Sequence, residues 1–267
     1  MLDRRKLDKA LRSPGRCRGV AVPLTLDIGA EFMWTNRQAV LWDQVVFDLY
    51  ETVLADGLIQ DSVVGVRKAV GAILRKYTNY TGFGIQMQTQ YIRGADGHRN
   101  AFLSRVEDAV GVNVSDLLND RSVDMVVRNR VRAGLSLVKN LDRFTVYKIT
   151  EAILKGVKSG EGSNLAELLH AAKKVTSSRA KLIARDQMGK LFSNLAQARQ
   201  EDIGVTRYRW STARDSRVRD RHAAREGKEY YWKRPPAGGH PGEDINCRCV
   251  AEPVLASSKI VRELLAA

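Results

Sequence analysis

Cysteine, proline and aromatic residues are all scarce in this chain. Three cysteines in 267 residues are too few for a disulfide framework, which excludes the small secreted scaffolds that replace a core with cross-links. Six prolines and 7% aromatic residues give no collagen-like or proline-rich bias. No stretch approaches about 18 uninterrupted apolar residues, so no transmembrane helix is expected. The basic N-terminus leads into an apolar run, Val20 to Ile28, that is short and broken by Pro23 and Asp27. That run does not make a secretory leader. A Walker-type loop, a paired-carboxylate metal motif and a Ser-His-Asp signature are also missing, and Gly82-Phe83-Gly84 is too short to cradle a phosphate. The expectation is a soluble protein made in the cytoplasm. A chain of this length buries about 70–75% of its unfolded surface without disulfide or metal.

Positive charge is abundant, and it is localised. The net charge of +14 divides into +5 over residues 1–18, zero over 19–170, +10 over 171–234 and −1 over the remainder. Arg207, Arg209, Arg214, Arg217, Arg219, Arg221 and Arg225 dominate the second basic stretch, interleaved with Tyr208 and Trp210. Arginine suits bidentate phosphate contact and aromatic rings can stack on bases, so these seven arginines are candidate nucleic-acid contacts. The competing reading is a solvated surface whose arginines pair with acids elsewhere in the fold.

Apolar periodicity predicts a mainly α protein of the α+β class, with a helical N-terminal body and a small C-terminal α+β module. Residues 1–30, punctuated by Ser13-Pro14-Gly15 and Pro23, read as a basic arm. A helical N-terminal region then covers 31–119. Trp42, Val45, Val46, Leu49 and Val53 mark a helix ending at Asp56-Gly57, and Asp61 or Ser62 caps a second carrying Val63, Val66, Val70, Ile73 and Leu74. Residues 78–99 are rich in Thr, Asn, Gln and Gly and read as a hairpin or ordered loop, with a turn at Gly94-Ala95-Asp96-Gly97. Helical pattern resumes at 101–110. Over 120–203 it continues with Val123, Val127 and Val131, with Leu141 to Leu154, and with a short helix at 165–169 capped by Ser163. A long helix opened by Ser177 completes this part. Residues 204–256 form the small basic module, with strand-like pieces at 205–210, 228–232 and 248–253, followed by a tail at 257–267.

That module gathers most of the reactive side chains. Two of the four histidines and two of the three cysteines fall within 28 positions. On an extended segment Cys247 and Cys249 share a face. With His222 and either His240 or Asp215 they would complete a tetrahedral zinc shell able to staple a module with a small core. The alternative is packing of the two thiols as small apolar groups, with His222 hydrogen-bonded to Asp215 and His240 exposed. No other cofactor is implied. His98 and His170 are isolated and read as surface or cap residues.

In chain order, Arg179-Ala180-x-x-Ile183-Ala184-Arg185-Asp186-Gln187, Gly204-Val205, Trp210-Ser211-Thr212-x-x-Asp215-x-Arg217-Val218-Arg219-x-x-His222, Gly227 and Asn246-Cys247-Arg248-Cys249 resemble the phage Mu F-like head morphogenesis (minor head) family. The resemblance covers roughly residues 120–253, including Leu135-Ser136-Leu137-Val138-Lys139. In one place it departs: the family's Arg-Thr-Glu reads Arg185-Asp186-Gln187, so an ion pair made by that Glu would have to be made through Asp186. The resemblance implies a non-enzymatic virion component of the capsid interior, associated with the portal protein and other capsid proteins and acting in head assembly and DNA packaging or delivery. Phage DNA is the implied nucleic acid, and no membrane is involved. Two other functions fit the composition: a metal-dependent nuclease or toxin-like effector using His222, and a plain nucleic-acid-binding protein.

Overall fold

The computed structural model describes residues 28–56, 63–111, 113–158 and 165–266. The basic arm up to residue 27 and the expected caps at Asp61, Ser62 and Ser163 lie outside these residues. The chain is mainly helical, with α1 over Ile28–Asp56, α2 over Val63–Tyr77 and α3 over Tyr80–Val110. Next come a 3-10 turn at Ser115–Leu117, α4 over Asp120–Lys158 and α5 over Leu165–Asp202. The C-terminal part runs β1 (Arg207–Ser211), α6 (Asp220–Ala223), β2 (Glu229–Tyr231), β3 (Val250–Pro253), a 3-10 turn at Leu255–Ser257 and α7 (Lys259–Ala266). The mainly α, α+β class is as expected.

Three helices are longer than periodicity indicated. The stretch 78–99, expected as a hairpin or loop, is the first half of α3, and Gly94 to Gly97 make no turn. Phe83, Met87, Tyr91, Ala95, His98, Phe102, Val106 and Val110 are all buried, a three-to-four-residue spacing. Tyr80, Phe83, Ile85, Met87 and Tyr91 come near strand alternation, but Ile85 is exposed, and Ala95 and His98 hold core positions that do not read as apolar. Asn79 caps the helix, its Oδ1 accepting the Gly82 N–H at 2.8 Å. Likewise α4 is one helix rather than two, and Ser177 lies inside α5 instead of opening it. The Thr176 hydroxyl donates to the Ala172 and Lys173 carbonyls, which lets a hydroxyl residue sit in a helix interior.

Contacts divide the described chain into two units. One comprises 28–87 and 131–185, the other 88–130 and 186–266. The described elements of the first are all helices. Its core joins Leu41, Trp42 and Val45 with Val70, Leu74, Ile149 and Ile153. Within it Arg37 makes a two-pronged pair with buried Asp142, at 3.0 and 2.7 Å, and stands over the Phe83 ring. Here a charge is buried with its partner supplied, which a sequence pattern cannot announce.

The second unit holds the sheet. Helix α5 ends at Gly204 (φ +74°), with Gly204 N–H donating to Glu201 and Val205 N–H to Gln200. This is a Schellman closure that the positive φ makes natural for glycine. The three strands lie antiparallel in the order β2-β1-β3, Tyr208 facing Tyr230 on one side and Pro253 on the other. Ile203, Val205, Leu255 and Val261 pack with Phe102 and Val106, so the residues expected as a tail carry a packed helix. Among the described residues no helix is long and apolar enough to cross a membrane.

His98, expected at the surface, is buried in this unit. Its Nδ1 meets the Arg199 guanidinium, which also donates to the Ala95 carbonyl at 2.7 Å. Burial, with Arg199 beside it, pushes the His98 pKa down to about 3. Burial also lowers that of His240. The unfolded chain therefore binds protons here that the folded chain refuses below about pH 6.5. For His98 stability is full above that pH and falls as pH drops toward 3, by up to about 1.4 kcal/mol per pH unit, and His240 adds a loss in the same direction. Urea midpoints measured between pH 7 and 5 should decline, and His98→Gln should flatten the decline. An unchanged slope in the variant would contradict the assignment.

Candidate metal centre and the arginine face

Strand β1 reads Arg-Tyr-Arg-Trp-Ser, and strand geometry sends alternate side chains to opposite faces. Tyr208 and Trp210 are 0% and 1% exposed, packed with Trp232, Cys247 and Cys249. The interleaved aromatics are thus core residues, and stacking on bases is excluded for these two. On the outer face Arg207 and Arg209 share Glu229, at 3.1 and 3.3 Å.

The other five arginines occur between β1 and β2, Arg221 in α6 and the rest in the turns around it. Arg214 pairs with Glu226 at 2.7 Å and Arg221 with Asp244 at 2.5 Å. Arg219 donates to the Ile245 carbonyl, and Arg225 donates to Ala237 while stacking 4.9 Å from the Trp210 ring centre. Arg217 is the loosest, 76% exposed and 3.9 Å from Asp215. Most of the seven are therefore engaged inside the fold.

Sequence reasoning offered five metal ligands, and the structure brings three of them together. Among the described residues one group of histidine, cysteine and acidic side chains has ligand atoms all within 4.8 Å of each other: His222, Cys247 and Cys249, every one buried. His222 Nδ1 lies 3.6 Å from Cys247 Sγ and 3.5 Å from Cys249 Sγ. The other two candidates are placed elsewhere. Asp215 takes both arms of Arg248 at 2.5 Å, which holds its carboxyl down to about 2. His240, buried rather than exposed, shares a 2.8 Å hydrogen bond with the Tyr208 hydroxyl against the Trp232 ring.

The acid that partners His222 is Asp244, not Asp215: its Oδ2 lies 2.7 Å from Nε2. Partial burial opposes the Asp244 charge, but the bond from His222 and the nearby arginines outweigh it and lower its pKa. The sequence held a signal for this residue, since Asp244 stands three positions before Cys247 beside the turn-forming Gly242. The thiols are strongly unequal. The Cys249 thiol, with N–H groups of Cys249 and Gly242, outweighs burial and lowers the Cys247 pKa. The neighbouring Cys247 thiolate, together with burial, pushes the Cys249 pKa up. Beside the thiols lies an open cleft of about 20 Å³ walled by Arg217, Arg219, Asn246 and Arg248, enough for one water molecule.

The segment carrying the cysteines is pinned to α5. Asn246 adopts a left-handed conformation (φ +53°), which asparagine tolerates better than most residues. Its N–H donates to Asp186 Oδ1 at 2.9 Å, while Asp186 Oδ2 pairs with Lys190 at 2.7 Å. Asp186, where the sequence departs from the family pattern, thus carries an ion pair of its own. Gln200, which sequence reasoning passed over, donates to the Ala251 carbonyl and accepts the Trp232 indole N–H, joining α5 to the sheet. Gly242 (φ +89°) donates to Cys247 Sγ at 3.4 Å, and a Cβ there would stand 2.5 Å from Ser193 Cβ.

Gly242→Ala combines an unfavourable φ with overpacking and should cost about 2–3 kcal/mol in urea unfolding. Adding Ser193→Gly should recover the steric part. A loss below about 0.5 kcal/mol, the range of a neutral surface change, would contradict this close approach.

Comparison with known proteins places this geometry in context. No solved structure matches the chain. An uncharacterized protein of Haemophilus influenzae (strain ATCC 51907 / DSM 11121 / KW20 / Rd) is 32% identical over 198 residues, covering 72% of this chain. The chain spans 44% of that relative's length. The family described as Phage Mu protein F like protein matches over residues 147–252, the span that holds α5, the sheet, His222 and both cysteines. Residues 147–252 of this chain belong to the Phage Mu protein F like family.

Proposed function

We propose that this protein is a phage head morphogenesis component, a minor head protein carried in the virion. In this reading it associates with the portal and capsid interior and serves head assembly and DNA packaging or delivery without catalysing a reaction. The observation that carries the proposal is the family segment itself, with its motifs in order. The use the fold makes of them supports a structural role: Trp210 and both cysteines lie in one core, and Asp215 is engaged by an arginine.

The DNA-facing part of this proposal narrows to three residues. Arg207, Arg209, Arg214 and Arg221 are matched by carboxylates, whereas Arg219 and Arg225 bond only carbonyls in the contacts above and Arg217 is loosely held. Three phosphate contacts give a log–log salt slope of about −3, and Arg217→Ala should reduce it by about 1. Fluorescence titrations of duplex DNA at several salt concentrations measure this. Salt-insensitive binding would remove the DNA face. The head role is tested separately, by mass spectrometry of purified particles and by the packaged DNA content of particles made without this protein. Absence from particles, with plasmid degradation abolished by His222→Ala, would point instead to a nuclease.

A further inference from the structure

We propose that His222 Nδ1, Cys247 Sγ and Cys249 Sγ bind one zinc ion, with Asp244 fixing the imidazole and a water molecule from the adjacent cleft as fourth ligand. This goes beyond the head-protein reading and does not depend on it.

The distances carry the argument. Zinc holds sulfur at about 2.3 Å and imidazole nitrogen at about 2.0–2.1 Å, and at tetrahedral angles those bonds set nitrogen and sulfur about 3.5–3.6 Å apart. The two observed separations are 3.6 and 3.5 Å. A hydrogen bond accounts for only one of them. Asp244, an acceptor at 2.7 Å from Nε2, places the ring proton on Nε2 and leaves Nδ1 a single lone pair. One lone pair receives one S–H, yet both sulfurs stand equally near it. A cation in the middle satisfies all three atoms.

The surroundings fit as well. A carboxylate behind the distal imidazole nitrogen is the usual outer-shell partner of a metal-bound histidine. The Gly242 N–H on Cys247 Sγ stabilises a thiolate. Two thiolates and an imidazole in tetrahedral array select zinc among the common cations. Zinc takes both cysteines as thiolates, any S–H proton still present leaving to solvent, so the ion and its two thiolates are neutral together. The cleft beside the sulfurs has room for the fourth ligand.

The test uses the full chain, purified under reducing conditions without chelator. Elemental analysis should give one zinc per chain. Cobalt(II) added to the chelator-stripped protein should give a thiolate-to-cobalt charge-transfer band and the visible bands of a tetrahedral site. Cys247→Ser and Cys249→Ser should each abolish stoichiometric binding. Asp244→Asn should keep the band while weakening affinity about 10–100-fold, and Asp215→Asn should leave both unchanged. If the cysteine variants fail to fold, the cobalt spectrum of the unmodified protein decides alone. Free thiols by assay but no thiolate-to-cobalt band would overturn the proposal, as would a Cys247–Cys249 disulfide that survives reduction.

Discussion

The Asp186 carboxylate is the contact on which the C-terminal module depends. One oxygen accepts the N–H of Asn246, a residue in the left-handed region, and the other is neutralised by Lys190 one turn along the helix. A backbone conformation that costs energy persists only where surrounding contacts hold it. Here the holder is an acid on α5, already ordered by a long helix. Because Asn246 immediately precedes Cys247, fixing its backbone fixes where the first sulfur points. The second sulfur follows two residues on, from the segment that enters β3. A helix thus orients a pair of thiols on a segment with no regular structure of its own before β3 begins.

The same dependence extends to the polar groups of the neighbouring loop. The 237–248 segment has few ladder partners, and beyond turn bonds of its own, such as Cys247 N–H to the Asp244 carbonyl, it draws on donors from other segments. Arg219 reaches the Ile245 carbonyl, Arg221 reaches Asp244, and Arg225 reaches the Ala237 carbonyl. Arg248 returns the favour by holding Asp215 in the turn after β1. Singly, such half-exposed contacts contribute about 0–1 kcal/mol. Acting on one segment they restrict it from several directions, and the arginine fork suits the task because it presents several donors in a fixed plane.

The sheet and its terminating elements were legible in the sequence because short-range rules govern them. The strand expected at 205–210 is β1, Arg207–Ser211, and Gly204 ends the helix before it. The long helices were less legible. Ala95 and His98 hold core positions without looking apolar, and Ser177 resembles a cap although it lies mid-helix. Of the candidate site, the Cys-x-Cys spacing placed two thiols together correctly, and His222 joined them. Its carboxylate partner was misassigned because both acids lie in the same module and both meet an arginine, and only the fold decides that Asp244 also reaches the imidazole. His240 went to a tyrosine for the same reason.

The charge surplus that first suggested nucleic acid has a second meaning once these contacts are considered. Composition counts arginines but not their partners, and a +10 stretch reads the same whether its cations face DNA or face the chain's own acids and carbonyls. Tyr208 and Trp210, which strengthened the nucleic-acid reading, are the inner face of the strand whose outer face carries Arg207 and Arg209. The alternation that looks like stacking platforms between phosphate contacts is therefore the signature of a half-buried strand. Under the proposed function, the set left for a polyanion is the smaller one whose charge no carboxylate closely neutralises. Arg217 and Arg219 both wall that cleft. If the proposed DNA face holds, a phosphate drawn to them would approach the segment that Asp186 and the other arginines hold in place, and the contacts that order the module would also position the anion.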